Sequence, residues 1–232
     1  MQNTYSKDGL VLDMSIQKLQ ETGRNIIIDK SRHMNHGMCM NETNIIQTKE
    51  GICAGSFDGV NDYVDCGNDT SLKPLKVVTM ELLVNPSSYS NVHAIHQFGF
   101  LRYDGYTFWQ RVENGVPQTW IIELNQIGGT SRNMSLPIDT IPLNINTHIV
   151  IIFDTENGKI TFYKNGAFFQ EQGVLTGDIV YSGNFFIGDK LNGFVDEVRV
   201  YNRALSAEEV RGNMFASKRY KYMRGVQKCG VR

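Results

Sequence analysis

Two histidine pairs, His33-x-x-His36 and His93-x-x-His96, have a spacing that metal sites use. On an extended chain residues i and i+3 point to opposite faces, and neither pair has a third donor close by in sequence, so neither is assigned a metal. The adjacent carboxylates Asp196 and Glu197 lie in a strand-like run. Alternation sends their side chains to opposite faces, which rules out a paired acid and base. No GxSxG, HExxH, Walker or GxGxxG motif occurs, so the chain reads as non-enzymatic. Of the four cysteines, Cys39, Cys53, Cys66 and Cys229, none forms a CxxC pair. Cys53 and Cys66 flank a turn and are disulfide candidates across a hairpin; two buried free thiols are the alternative.

The elements that would position these groups are mostly strands. Val77–Val84, His148–Phe153, Lys159–Lys164, residues 167–172, Phe185–Gly188 and Phe194–Tyr201 are β-branched, aromatic or alternating. In the last of these Val198 and Val200 point one way, Arg199 and Tyr201 the other. Asn165-Gly166 between two such runs is a strong hairpin signal, because both residues accept positive φ. Ile52–Phe57 and Tyr63–Cys66 bracket the turn Asp58-Gly-Val-Asn-Asp62, and Arg102–Arg111 and Gln118–Leu124 complete the series. Helix is scarce: Ser206-Ala-Glu-Glu209 is a capping box that predicts about two turns, and Ser15–Gln20 suits one more turn.

The chain has 232 residues and a formal net charge of −1. That balance conceals a division. After Glu209 no acidic residue occurs, while Arg211, Lys218, Arg219, Lys221, Arg224, Lys228 and Arg232 remain, leaving 16 basic against 24 acidic residues before them. An acidic body of −8 therefore carries a basic tail of +7. The longest apolar run, Ile149–Phe153, is far short of a membrane span. The N-terminal MQNTYSKDG has no basic segment followed by an apolar one, so no signal peptide is read. Asn41-Glu-Thr43, Asn68-Asp-Thr70 and Asn133-Met-Ser135 fit the glycosylation pattern, which in an Asn-rich chain is better explained by chance.

Three segments together resemble the laminin-G-like, concanavalin A-like jelly-roll family. Ser56-Phe-Asp-Gly-Val-Asn-Asp-Tyr-Val-Asp65 is similar to its SFDGxxDYV stretch, and residues 193–206, Gly-Phe-Val-Asp-Glu-Val-Arg-Val-Tyr-Asn-Arg-Ala-Leu-Ser, to its GxxDEVRIYNRALS signature. Residues 29–37, Asp-Lys-Ser-Arg-His-Met-Asn-His-Gly, resemble DxSGNGxHG without its first glycine. The resemblance spans residues 9–215. It implies an all-β sandwich of two antiparallel sheets with a short C-terminal helix, a domain over 1–212 and a basic tail over 213–232. It also implies a structural calcium ion near Asp29, Asn35 and Asp196, since calcium takes six to eight oxygens. The alternative is that Asp29 only caps its turn.

Sugar sites in such folds stack aromatic faces on pyranose rings. Tyr103, Tyr106, Trp109 and Trp120 are the candidates, although large aromatics also fill sandwich cores. Related glycosidases carry carboxylates two or four residues apart on one strand face, and no such ExDxxE arrangement occurs here. The expected function is a non-catalytic carbohydrate-binding or adhesion module that takes a glycan or polysaccharide, on an extracellular surface or a virion. The alternative is an assembly protein, a virion decoration, capsid or fibre component, whose basic tail docks on a second copy or on a neighbouring structural protein. Tyr220 and Tyr222 interleave with basic residues as in single-strand nucleic-acid binders, but charges on a tail more often mean a solvated terminus.

Overall fold

The computed structural model describes residues 5–14, 26–41, 43–47, 53–89, 105–126, 130–174, 176–181 and 183–217. In chain order the strands are β1 (Leu10–Met14), β2 (Ile26–Ile27), β3 (Gly37–Met40), β4 (Asn44–Gln47), β5 (Cys53–Asp58), β6 (Tyr63–Asp65), β7 (Val77–Pro86), β8 (Tyr106–Glu113), β9 (Val116–Gln126) and β10 (Thr130–Pro137). They continue with β11 (Thr147–Asp154), β12 (Lys159–Lys164), β13 (Ala167–Gly173), β14 (Phe186–Ile187) and β15 (Asn192–Tyr201), and end in the helix α1 (Ala207–Ala216). The one-turn helix suggested at Ser15–Gln20 lies outside the described residues, as do His93 and His96 and the basic tail beyond Ser217.

The largest sheet runs β13-β12-β11-β7-β15-β5-β4. Strand β15 is its pivot. One edge pairs with β7; the other pairs with β5 through Asn192–Val195 and with β1 through Val198–Tyr201. All these pairings are antiparallel. The hairpins form where the turn residues allow: Asn165 (φ 50°) with Gly166 (φ 76°) joins β12 to β13, and Asn114 (φ 51°) with Gly115 (φ 74°) joins β8 to β9.

The expected second sheet is divided in two, β10-β9-β8 and β14-β6-β3-β2. Both contribute to one core with the inner face of the large sheet. Val78, Met80, Leu82, Ile149, Ile151 and Phe153 meet Phe108, Trp120, Ile122 and Leu124 from one small sheet and Ile27, Val64 and Ile187 from the other. The segment before β14 stitches the two together. The Val180 N–H bonds the Asn125 carbonyl at 3.2 Å, while Phe185 exchanges backbone bonds with Cys66 and Gly67 at 2.9 and 2.7 Å.

The turn at Asp58–Asp62 is therefore not a hairpin. It carries the chain from β5 in the large sheet to β6 in a small one. Asp58 Oδ1 accepts from the Val60 N–H at 2.7 Å, and Asp62 Oδ2 accepts from the Asp58 N–H at 3.0 Å. This corrects the disulfide expectation. Cys53 pairs along β4, opposite Gln47, whereas Cys66 is a free, buried thiol 4.0 Å from Met14 Sδ. Burial pushes the Cys66 thiol well above its ordinary pKa, which keeps it protonated and inert.

Candidate functional site

The loop after β2 is built around one carboxylate. Asp29 is buried and both of its oxygens accept two hydrogen bonds. Oδ1 takes the N–H groups of Asp13 and Ser31, each at 2.8 Å; Oδ2 takes the Ser31 hydroxyl and the Asn35 N–H, each at 2.7 Å. The loop is then fastened to β1. The Lys30 N–H donates to the Asp13 carbonyl, while Asn35 Nδ2 donates to the Val11 carbonyl at 2.9 Å. Asn35 Nδ2 also reaches Ser71 Oγ at 2.9 Å. Asp29 and Asn35 thus share one network. Asp196 does not join it: it lies on β15 opposite Leu83 of β7.

This arrangement is poorly suited to calcium. A hard cation needs bare oxygens, and the groups around Asp29 are N–H and O–H donors already aimed at it. Among the described residues no cluster of three His, Cys, Asp or Glu side chains could hold a metal ion.

A second buried network lies on the outer face of the large sheet, under α1. The β15 pairing slips between Asp196 and Arg199, and Glu197 takes a positive φ of 51°. The bulge replaces the simple alternation expected at Asp196-Glu197: Val195 and Val198, three apart, both enter the core. Glu197 then shares the outer face with Arg199. Arg199 donates to Glu197 Oε2 at 2.7 Å and to Glu81 Oε1 at 2.9 Å, and its Nε lies 3.6 Å from Asp13 Oδ1. The Tyr5 ring packs 4.1 Å from the guanidinium carbon, and its hydroxyl bonds Asp13. Glu81 is further bound by His148 Nε2 at 3.0 Å, Asn213 Nδ2 at 2.7 Å and Tyr201 Oη at 3.4 Å.

Burial opposes ionisation of Glu81, but Arg199 and the His148 contact outweigh it and hold its pKa below the usual range. Burial likewise works against the Arg199 charge, and Glu81 and Glu197 reverse that effect, raising its pKa. The Tyr5 phenol is pushed up to about 12, first by burial and then by Asp13. Glu81 and Glu197 are buried counter-ions of Arg199, unlike an acid and base flanking a substrate.

The aromatic candidates separate by sheet face. Tyr106 and Trp120 point into the core; the Tyr106 hydroxyl donates to the Leu72 carbonyl and Trp120 Nε1 to the Ile138 carbonyl, each at 3.0 Å. Phe108 stacks on Trp120 at 5.1 Å. Trp109 lies on the other face of the three-stranded sheet, only 5% exposed, with Nε1 bonded to Glu123 Oε2 at 3.0 Å. None of the three presents an open ring to a sugar. Tyr103 lies outside the described residues.

The two networks together shape a concavity that the sequence reading passed over. A cleft of about 410 Å³ lies between the N-terminal segment and the Asp29 loop, lined by Tyr5, Lys7, Asp8, Asp13, Lys30 and Arg32, among others. Its loop wall is set by Asp29. Its other wall is held by Arg203, which donates to the Asp8 carbonyl at 3.1 Å and to Ser6 Oγ at 2.9 Å, and by Asn213 Oδ1, which accepts from the Ser6 N–H at 3.0 Å. The signal in sequence is Lys7 and, more than 20 residues on, Lys30 and Arg32, which mean nothing until the fold joins them.

Comparison with known proteins agrees with this architecture. A family model described as the concanavalin A-like lectin/glucanases superfamily matches residues 58–211. The chain belongs to that superfamily. Among solved structures it is similar to the binding domain of Paraclostridial Mosquitocidal Protein 1, with 16% identity, a TM-score of 0.70 and coverage of 90% of this chain and 52% of that one. The receptor binding domain of botulinum neurotoxin D follows at 14% identity and a TM-score of 0.66, with 90% and 52% covered. The binding domain of botulinum neurotoxin DC, solved in complex with SialylT, is 12% identical with a TM-score of 0.63, with 91% and 52% covered. At these identities the likeness is one of fold, and the chain spans about half the length of each. No curated protein matches the sequence. The superfamily member has no helix among its described residues long and apolar enough to cross a membrane.

Proposed function

We propose that the protein is a non-catalytic carbohydrate-binding module acting on an extracellular or virion surface. Its membership of a lectin-type superfamily is the observation that carries this reading. Two others support it. The solved structures it resembles are toxin binding domains, one of them in complex with SialylT. Glu81 and Glu197, the carboxylates clustered on Arg199, are buried and paired, which does not suit them to flank a glycosidic bond. The hydrogen-bond donors that surround Asp29 support binding that does not depend on calcium at that loop. A glycan array followed by isothermal titration, each with and without a chelator, tests this: saturable binding unchanged by chelation is expected, and silence across a broad panel would end the reading.

A second reading, assembly with other copies, is favoured by β13. This edge strand is exposed along its length, with Phe168 and Phe169 at 61% and 42% and Glu171 as its one charged residue. Unprotected edges of this kind recruit further strands. Light scattering at high concentration should then show a dimer or larger species that Phe168→Lys returns to monomer; a monomeric parent would dismiss it.

A further inference from the structure

We propose that the cleft between the N-terminal segment and the Asp29 loop is the ligand site, and that it takes a saccharide unit bearing a carboxylate, so that the module selects acidic glycans. This rests on the carbohydrate-binding reading and adds to it a location and a ligand class.

The charge pattern of the cleft is the first argument. Of the two carboxylates that line it, Asp8 is paired with Arg203 at 2.9 Å, and Asp13 is bonded by Tyr5 and lies beside Arg199. The cations Lys7, Lys30 and Arg32 are all exposed, and no carboxylate among the described residues forms an ion pair with Lys7 or Arg32. The concavity therefore carries a local positive excess on a body of net −8. Ionised donors prefer an ionised acceptor, because such hydrogen bonds are shorter and stronger than neutral ones.

The second argument is shape and preorganisation. About 410 Å³ falls within the roughly 300–1,000 Å³ of small-ligand sites. Lys30 and Arg32 flank Ser31, whose N–H and hydroxyl are both held by Asp29. The opposite wall is clamped by Arg203, itself locked to Glu209 by two bonds of 2.6 and 2.9 Å. Both walls are fixed before any ligand arrives, which lowers the ordering cost of binding.

The third argument separates a sugar from other anions. Asp8 and Asp13 add acceptors for hydroxyl groups, and Tyr5 adds an aromatic edge. Carboxylates inside the cleft oppose a dense polyphosphate or an anionic lipid surface, and suit a ligand that has one acid among many hydroxyls.

Titrations with 3′-sialyllactose and oligogalacturonate, against lactose and the methyl ester of the same oligogalacturonate, test the proposal. Acidic ligands are expected to bind, their neutral counterparts at least about tenfold more weakly, with the preference shrinking as salt rises. The double variant Lys7→Gln with Arg32→Gln should lose about tenfold for the acidic ligands at unchanged melting temperature. The control Arg132→Gln with Lys164→Gln, equal in net charge, should bind as the parent does. If neutral glycans bind equally well, or the cleft variant keeps its acidic ligands, the cleft proposal fails while the carbohydrate reading stands. If no glycan binds, both fail. Capture of phosphatidylserine vesicles that acidic glycans do not compete would also overturn it.

Discussion

Arg199 shows what one residue of the family signature is for. It is buried among Asp13, Glu81 and Glu197, and its removal strands two or three carboxylates away from water. Arg199→Met should cost about 3–5 kcal/mol in urea unfolding at pH 7. The penalty should shrink as pH falls, because the orphaned carboxylates can then be neutralised by protonation. Asp29 is the second such residue. Asp29→Ala removes four accepted hydrogen bonds, three of them from backbone N–H groups, and should cost about 2–4 kcal/mol. Calcium or a chelator should leave the melting temperature of the parent unchanged. A rise of several degrees on adding calcium would mean the loop opens to a cation.

At the scale of elements, α1 clamps the outer face of the large sheet and both chain segments that cross it. Ser206 caps it, with Glu209 Oε2 accepting from the Ser206 N–H at 2.9 Å, and Ser206→Ala should cost about 1 kcal/mol. Glu209 is held down to about 2, chiefly by Arg203. Its folded pKa thus lies below the ordinary 4.5, so its contribution is fully present above that value and is lost as pH falls toward 2. Replacing Arg203 by Gln should flatten this acid limb of the stability profile. The helix also runs through the boundary expected at 212, and buried Asn213 bonds both Glu81 and Ser6. A chain ended at Gly212 should therefore melt below one ended at Ser217. The capping box was legible because its chemistry is local. The length of the helix was not, since Asn213 belongs to it through partners more than 100 residues away. Similarly, the strands β7 and β11 were legible as apolar, β-branched runs and β12 and β15 from alternation, whereas β10, in which Met134 and Leu136 join the core, gives too weak a pattern.

For the whole molecule, the family segments encode a frame more than a binding surface. Asp29, Arg199, Arg203 and Glu209 are bound to each other's surroundings, and together they fix the two walls of one cleft. The sequence made the frame readable because such residues recur in recognisable strings. It hid the cleft because Tyr5, Lys7 and Arg32 are unremarkable until β1 and β15 bring the N-terminal segment beside the Asp29 loop. It also favoured aromatic platforms that the fold spends on its interior, Tyr106 and Trp120 above all. The central claim is recognition of sugar without chemistry. Titrating the full chain with a glycan panel and recovering the bound oligosaccharides tests it most directly. The account predicts saturable binding of acidic members, each recovered intact; cleaved sugars, or no binding by any member, would contradict it.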